Sequence, residues 1–340
     1  MRAVVYSQTG DPDVLRVVER PVPEPGPGEV RVRLVLSGVN PTDWKSRRGS
    51  GPGRPLPFPE KVPDQDGAGV VDAVGPGVER VRPGRRVWVW EAAYQRADGT
   101  AQEYVVLPAD QVVPLPDDAS FELGASLGIP ALTAHRCLTV ADGGPDRLAP
   151  GTLDGRTVLV QGGAGAVGHF AIQLARWAGA RVLTTVSSPE KAELARRAGA
   201  HHVINYRDSD AAEAIRAIAP DGVDLVAEVA PAVNAELDGA VVGNDATVAS
   251  YADNGGDTMT VAIRPNMVLN TRFQFVLVYT VPDRAKRNAV EDVTAAVAAG
   301  VLGVGEEHGL PLHRFPLEKT AAAHAAVEDG VTGKVLVDIG

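Results

Sequence analysis

The clearest chemical pattern in the chain is a glycine-rich turn in the stretch VLVQGGAGAVGHF, from Val158 to Phe170. After an apolar run, Gly163, Gly165 and Gly168 have G-x-G-x-x-G spacing. The first glycine permits a tight strand-to-helix turn, the second lets a pyrophosphate approach the backbone, and the third lets the helix pack closely on the strand. The helix N-terminus offers free N–H groups to phosphate. This pattern predicts a dinucleotide site; the alternative is a tight turn without a ligand.

The residues after the next strand indicate which dinucleotide is bound. Sites specific for NAD usually carry Asp or Glu at the tip of that strand, about 20 residues after the turn. Here the strand Val182–Val186 is followed by Ser187 and Ser188, and Lys191 follows Glu190. A hydroxyl and a cation at this point suit a 2′-phosphate, which predicts NADPH. If Lys191 is an ordinary solvated helix residue, Ser187 can serve either cofactor.

Two kinds of pattern divide the chain and predict an α/β fold. The first third has short strand patterns such as MRAVVY and EVRVRLVLSGV, separated by Gly and Pro turns. From about residue 120, strands alternate with helices, which is typical of a doubly wound parallel (Rossmann) sheet. Because 340 residues suffice for two domains, we predict a Rossmann domain at residues 123–267. It is inserted into a β-rich domain formed by residues 1–122 and 268–340.

The composition excludes several classes of function. The net charge is −10 and no Lys/Arg-dense run occurs, which argues against nucleic acid as the main partner. One cysteine allows neither an intrachain disulfide nor a cysteine-rich zinc site. No apolar stretch approaches the roughly 20 residues that span a bilayer. We therefore expect no membrane partner and a cytoplasmic setting.

Several stretches together resemble one enzyme family. The chain is similar to the zinc-free quinone oxidoreductases, the ζ-crystallin-like branch of the medium-chain dehydrogenase/reductase superfamily. This resemblance covers nearly the whole chain and implies that the β-rich domain is a GroES-like barrel. The matching stretches are GVNPTDWKSRRG, VPDQDGAGVVDAVGPGVERVRPGRRV, GIPALTAHRCL, VLVQGGAGAVG, SSPEKAELARRAGAHHVINYRD and GKVLVDIG.

The resemblance also implies roles for single residues. It assigns Ser187, Lys191 and Tyr206 to the 2′-phosphate of NADPH, and places the substrate between the two domains. The catalytic candidates are Asn40, which matches a residue lining the cleft, Thr133, which matches one beside the nicotinamide, and Asp43, for which a structural hydrogen bond is the alternative. The predicted cofactor-binding set is Gly163, Ala164, Gly165, Ala166, Val167, Gly168, Ser187, Lys191, Tyr206, Val229, Ser250, Phe275, Val276 and Lys334.

The positions of the zinc ligands in related enzymes decide the expected chemistry. Zinc-dependent relatives have Cys, His and Cys where this chain has Asn40, Gln65 and Ile129. Amides are poor zinc ligands and Ile is none, so we expect no metal. Without a Lewis acid, hydride transfer favours an acceptor that is already electrophilic. The resemblance therefore implies a quinone reductase. The alternatives are an enoyl or enone reductase and an NADPH-binding protein with little turnover.

Three further features have open interpretations. Asp64 and Asp66 form an i, i+2 carboxylate pair, which we interpret as organising a turn beside glycine. Tyr251 follows a strand, where it contacts the nicotinamide end or packs a loop. The stretch NTRFQFVLVYTV, Asn270–Val281, predicts a continuous apolar strand. Because an exposed apolar edge must be covered, this strand predicts a homodimer.

Overall fold

The computed structural model describes all residues from Met1 to Gly340. The chain divides into two compact units: unit 1 comprises Met1–Ile129 and Pro311–Gly340, and unit 2 comprises Pro130–Leu310. No helix combines the length and apolar character that crossing a bilayer requires.

The chain forms fifteen strands and nine α-helices. The strands are β1 (Arg2–Val5), β2 (Arg16–Glu19), β3 (Glu29–Val39), β4 (Asp66–Val74), β5 (Arg86–Val89), β6 (Tyr104–Pro108), β7 (Val112–Pro114), β8 (Thr157–Gln161), β9 (Arg181–Val186), β10 (His202–Asn205), β11 (Val223–Glu228), β12 (Val242–Ser250), β13 (Arg272–Phe275), β14 (Leu312–Pro316) and β15 (Lys334–Asp338). The helices are α1 (Pro41–Arg48), α2 (Phe121–Leu138), α3 (Ala166–Trp177), α4 (Pro189–Arg197), α5 (Ala211–Ile218), α6 (Pro231–Val241), α7 (Ile263–Leu269), α8 (Asp283–Ala298) and α9 (Thr320–Glu328).

Unit 1 is built on a seven-stranded sheet with the order β14-β15-β3-β4-β5-β7, in which β6 also pairs with β3. The long strand β3 shows why this sequence forms a sheet. Val30, Val32 and Leu34 are almost completely buried, whereas Arg31 and Arg33 between them reach the surface to different extents. Alternation with period two places the apolar side chains on one face, where they join the core of unit 1. The β-rich character predicted for this part is confirmed.

Unit 2 contains a parallel six-stranded sheet with the order β10-β9-β8-β11-β12-β13. Helices α3, α4, α5 and α6 connect successive strands, as the alternating sequence pattern predicts. The strand order changes direction between β8 and β11. In open sheets of this kind, ligands bind at the carboxyl ends of the strands on either side of that point.

The second unit boundary differs from the predicted domain boundary. It lies at 310/311 rather than 267/268, and the first lies at 129/130 rather than 122/123. The reason is that β13 extends the sheet of unit 2 by pairing with β12. Helix α8 belongs to the same unit, because its buried Asp292 bonds to His135. The predicted continuous strand is wrong in its length: only Arg272–Phe275 is extended, and a 3-10 turn occupies Val278–Thr280.

Candidate active site

The predicted glycine turn joins β8 to α3 in unit 2. The left-handed residue is Gly162, with φ of +72°, one position before the predicted motif. A Cβ atom on Gly163 would lie 2.1 Å from the Thr184 hydroxyl oxygen, and one on Gly168 would lie 2.5 Å from the Gly162 carbonyl oxygen. Gly163 is therefore required for packing and Gly162 for the sharp turn. Sequence reasoning missed Gly162, although the doubled glycine in QGGAG was a visible signal.

The start of α3 is uncapped and has free donors. Gly165 is the N-cap residue of α3, and no side chain caps it. A Cβ atom on Gly165 would lie 3.5 Å from the Gly162 carbonyl oxygen, an ordinary van der Waals contact, so nothing in the protein itself crowds this position. The first N–H groups of a helix, at Ala166, Val167 and Gly168, have no intrahelical acceptor. Donors of this kind at a helix N-terminus suit a phosphate group.

The tip of β9 brings the residues predicted for the 2′-phosphate together. The Lys191 ammonium donates to the Ser187 hydroxyl at 3.2 Å, one helical turn after it. Ser188 caps α4 by accepting the Lys191 backbone N–H. The Tyr206 backbone N–H donates to the Val186 carbonyl at 3.1 Å, and the Tyr206 side chain is half exposed. The strand tip therefore presents a hydroxyl and an ammonium, with a phenol-bearing residue bonded to the same strand.

The remaining predicted cofactor residues of unit 2 lie at the carboxyl ends of neighbouring strands. Val229 follows β11, Ser250 ends β12 and Phe275 ends β13. The Val276 backbone N–H donates to the Ser250 carbonyl at 2.8 Å, which fixes this edge. Phe275 is 63% exposed whereas Val276 is buried. Parallel strands thus bring these positions to the same edge of the sheet as the glycine turn.

Tyr251 and Thr133 are two further candidate residues of unit 2. Tyr251 packs against Cys137, Ala249 and Val276, which are fully or almost fully buried, and burial raises its pKa well above the ordinary value. These contacts favour the packing role that we considered for Tyr251. Thr133 is a buried residue of α2 within unit 2.

In unit 1, the catalytic candidates Asn40 and Asp43 form one buried hydrogen-bonded group at the start of α1. The Asn40 backbone N–H donates to the Asp43 carboxylate at 2.7 Å. This is the reciprocal bond of a capping box, so the structure gives Asp43 a role in ending β3 and starting α1. Burial raises the pKa of Asp43 well above its ordinary value, and the neighbouring Asp64 and Asp66 add to the effect.

The side chain of Asn40 is held between a cation and an anion. Lys334 Nζ donates to Asn40 Oδ1 at 2.6 Å, and Asn40 Nδ2 donates to Asp66 Oδ2 at 2.7 Å. The ammonium lies 3.7 Å from the same carboxylate oxygen, and all three side chains are buried. Burial raises the pKa of Asp66 to about 6, while Lys334 and Asn40 oppose the rise. Lys334, predicted as a cofactor residue, therefore contacts Asn40 and Asp66 inside unit 1.

The three positions that hold zinc in related enzymes have other partners in this chain. Asn40 bonds to Lys334 and Asp66, as described. Gln65 Oε1 accepts the Ala93 backbone N–H at 3.1 Å, and the Ile129 backbone N–H donates to Asp66 at 2.9 Å. No group of three or more His, Cys, Asp or Glu side chains is arranged to hold a metal ion.

Asp64 has the turn conformation predicted for it. Its φ is +75°, a left-handed value that Asp tolerates better than most residues. Its carboxylate accepts bonds from Ser37 at 2.9 Å and from the His324 ring at 2.8 Å. Asp64 therefore ties the turn before β4 to β3 and α9.

Comparison with known proteins identifies relatives along the whole chain. The family model described as an alcohol dehydrogenase GroES-like domain matches residues 26–117, and the model described as a zinc-binding dehydrogenase matches residues 166–296. The quinone oxidoreductase of Mus musculus is 30% identical, over 99% of this chain and 97% of its own. The trans-enoyl reductase tazE of Aspergillus terreus is 35% identical, over 66% of this chain and 74% of its own.

Solved structures share the fold over the same length. A structure described as an NAD-dependent alcohol dehydrogenase has a TM-score of 0.87 and 31% identity, with all of both chains covered. The Escherichia coli quinone oxidoreductase complexed with NADPH has a TM-score of 0.80 and 25% identity, covering 99% of this chain and all of its own. These similarities agree with the doubly wound and GroES-like architecture inferred from the sequence.

Proposed function

We propose that this chain, which belongs to the quinone oxidoreductase family, is an NADPH-dependent and zinc-independent reductase of quinones or similar activated carbonyls. The observation that carries the choice of NADPH is the contact between Lys191 and Ser187 at the tip of β9. A 2′-phosphate brings two negative charges and several acceptor oxygens, which a hydroxyl and an ammonium satisfy. Glu190, the nearest acid, turns back to bond Ser188, so it does not occupy the place of an NAD-selective carboxylate.

The other parts of the cofactor find fitting groups in unit 2. The first turn of α3, at Ala166–Gly168, offers N–H donors to the pyrophosphate, and the missing side chain of the N-cap residue Gly165 lets it approach the backbone. Val229, Ser250, Phe275 and Val276 are our candidates for the nicotinamide half. When bound, NADPH supplies the hydride. The protein's part is to position the acceptor and to exclude water.

The groups that surround Asn40 support this choice of acceptor. Lys334 and Asp66 occupy both polar ends of its carboxamide, so Asn40 is a fixed polar group rather than a proton donor. Quinones and α,β-unsaturated carbonyls suit such a site, because delocalisation stabilises the anion that hydride addition leaves. We assign Asn40 and Thr133 to substrate and nicotinamide contacts, respectively, and Asp43 to the support of Asn40.

The first experiment measures loss of NADPH absorbance with a panel of small quinones and 2-enones, beside NADH and with a chelator present. We expect rapid, chelator-insensitive oxidation of NADPH in preference to NADH. Lys191→Ala should raise the KM for NADPH by about tenfold or more and leave that for NADH unchanged, since charge-assisted bonds contribute about 1.5–3 kcal/mol. Arg196→Ala removes an exposed charge from the same helix and should change neither value. Equal use of both cofactors by the unmodified protein would contradict the NADPH assignment.

Two alternative functions are separated by the same assay. An enoyl or enone reductase is favoured by the similarity to tazE, and a clear preference for 2-enones over quinones would establish it. A binding protein would hold NADPH tightly and consume almost none with any acceptor.

We further propose that the protein is a cytoplasmic homodimer joined along β13. This strand pairs with β12 on one side, and Phe275 and Leu277 at its end are 63% and 56% exposed. An exposed strand edge with apolar side chains is a surface that proteins normally cover. Light scattering should give a dimer mass for the unmodified chain and a monomer mass for Phe275→Lys with Leu277→Lys. Val17→Lys, at another exposed apolar position, should remain dimeric. A monomer at all micromolar concentrations would contradict this proposal.

A further inference from the structure

A continuous chain of hydrogen bonds lies directly beneath the glycine turn. The Gly162 backbone N–H points to the Thr185 hydroxyl oxygen at a long 3.4 Å, and that hydroxyl donates to Gln161 Oε1 in a short bond. Gln161 Nε2 donates to Asp238 Oδ1 at 2.9 Å. Gln161 is the last residue of β8, and its side chain is 1% exposed. Each donor in this series of hydrogen bonds has one acceptor, so all the bonds run in the same direction.

The chain ends in two buried carboxyl groups that bond to each other. Glu228 and Asp238 are 0% and 1% exposed, and their side chains form a mutual hydrogen bond. Two carboxylates cannot hydrogen-bond without a proton between them. Glu228 already accepts the Ala230 backbone N–H and the Asn234 amide, as an anion does. The proton therefore belongs on Asp238, which donates to Glu228 with one oxygen and accepts from Gln161 with the other.

We propose that protonated Asp238 and ionised Glu228 are positioning residues for the cofactor, an inference that rests on the proposed function. The hydrogen-bond chain connects Gly162, the first residue of the glycine turn, to Ala230, which follows the cofactor candidate Val229. Both ends therefore lie at segments that we assign to NADPH. The proton on Asp238 fixes the direction of every bond between them.

Loss of the proton on Asp238 would disrupt this series of hydrogen bonds. It would leave two buried carboxylates in contact. Burial raises the pKa of both groups, and the neighbouring Glu228 raises that of Asp238 further. The groups that face the pair are Gln161 from β8, Asn234 from α6 and Tyr251 after β12, and burial keeps Tyr251 neutral. NADPH should therefore bind best when the pair holds its proton, and its affinity should fall as the pH rises through the titration of the pair. By linkage, binding then takes up protons.

The test compares NADPH affinity, by fluorescence titration between about pH 6 and about pH 10, for variants at position 238. An asparagine presents one N–H to Glu228 and one oxygen to Gln161, which imitates the protonated acid. We expect Asp238→Asn to keep the affinity within about twofold and to lose the pH dependence specific to the unmodified protein. Asp238→Leu should weaken binding about tenfold, since it leaves Gln161 without its acceptor. Glu236→Gln, on the exposed face of the same helix, should follow the unmodified protein.

Calorimetric titration of the unmodified protein with NADPH, in two buffers of different ionisation enthalpy, supplies a readout that needs no variant. Proton uptake on binding supports the inference, and its absence at every pH in the range overturns it. The same pH dependence in Asp238→Asn as in the unmodified protein would also overturn it, while leaving the proposed function intact. An unmodified protein that does not bind NADPH would overturn both.

Discussion

Replacing Lys334 by Met should destabilise unit 1 to an extent that depends on pH. Lys334 is the cation beside Asp66, 3.7 Å from its carboxylate, and it also bonds to Asn40. The substitution keeps the apolar length of the side chain and removes the charge. Asp66, which is fully buried, then keeps only two neutral hydrogen-bond donors, the Asn40 amide and the Ile129 backbone N–H.

The size of the effect follows from the pKa of Asp66. Its folded value of about 6 exceeds the unfolded value of about 3.9, because burial outweighs the nearby cation. The folded protein therefore loses stability as the pH rises from about 4 to about 6, and the loss is constant above that range. Without Lys334 the carboxyl group stays protonated to higher pH, so the loss continues at about 1.4 kcal/mol per pH unit. The stability deficit of the variant relative to the unmodified protein should therefore be larger at pH 8 than at pH 5.5, by about 3 kcal/mol if the carboxyl group stays protonated over that range.

Urea unfolding followed by tryptophan fluorescence measures this difference. Trp44, Trp88 and Trp90 all lie in unit 1, so the signal reports mainly the unit that contains Lys334. Lys319→Met removes an exposed lysine of the same unit and should cost less than about 1 kcal/mol at either pH. An equal change in the free energy of unfolding of Lys334→Met at pH 5.5 and pH 8 would contradict this prediction.

Four further substitutions test separate parts of the structure. Gly168→Ala places a Cβ atom 2.5 Å from a backbone oxygen and should lower the free energy of thermal unfolding by about 1–3 kcal/mol. Gly165→Ala should unfold like the unmodified protein but bind NADPH about tenfold more weakly. Equal effects of the two substitutions on stability would contradict these roles. Glu328→Gln removes the charged partner of the fully buried Arg47 and should cost about 3 kcal/mol in urea unfolding, and a loss below 1 kcal/mol would count against it. Burial lowers the pKa of His169 to about 4, below its ordinary 6.5, so the protein loses stability as the pH drops below 6.5. His169→Gln should reduce the loss of unfolding free energy between pH 7 and pH 5 by about 2 kcal/mol. The same loss in the variant and the unmodified protein would count against a role for His169.

The Rossmann sheet and its glycine turn were predictable because their signals are local. Strand, turn and helix follow one another within residues 157–177, and the next strand is followed by Ser187, four residues before Lys191. Each of these elements needs only the period of its apolar residues and the identity of its turn residues. The structure brings Ser187 and Lys191 together as that local pattern predicts.

The features that were missed depend on distant contacts. Lys334 and Asn40 are 294 residues apart, and no local pattern indicates that their side chains bond. The boundary at residues 310/311 is not visible in the sequence, because it depends on the pairing of the short strand β13 with β12, which no local pattern indicates. Gln161 and Glu228 are the last residues of apolar buried strands. A polar residue at such a position indicates a buried hydrogen-bond partner, although it does not identify that partner.

The place of β15 in the sheet has a consequence for how the protein is made. This strand pairs with β3 on one side and β14 on the other, so it lies inside the sheet of unit 1. A ribosome delivers β3 well before β15, with the whole of unit 2 between them. Strands β4 and β6 can pair with β3 early, but the Leu36–Val39 end of β3 must wait for its partner on that edge until β15 emerges. Such contacts between distant parts of a chain slow folding and leave strands open to aggregation. We therefore expect the Leu36–Val39 edge of β3 to be open to aggregation during synthesis until β15 is made.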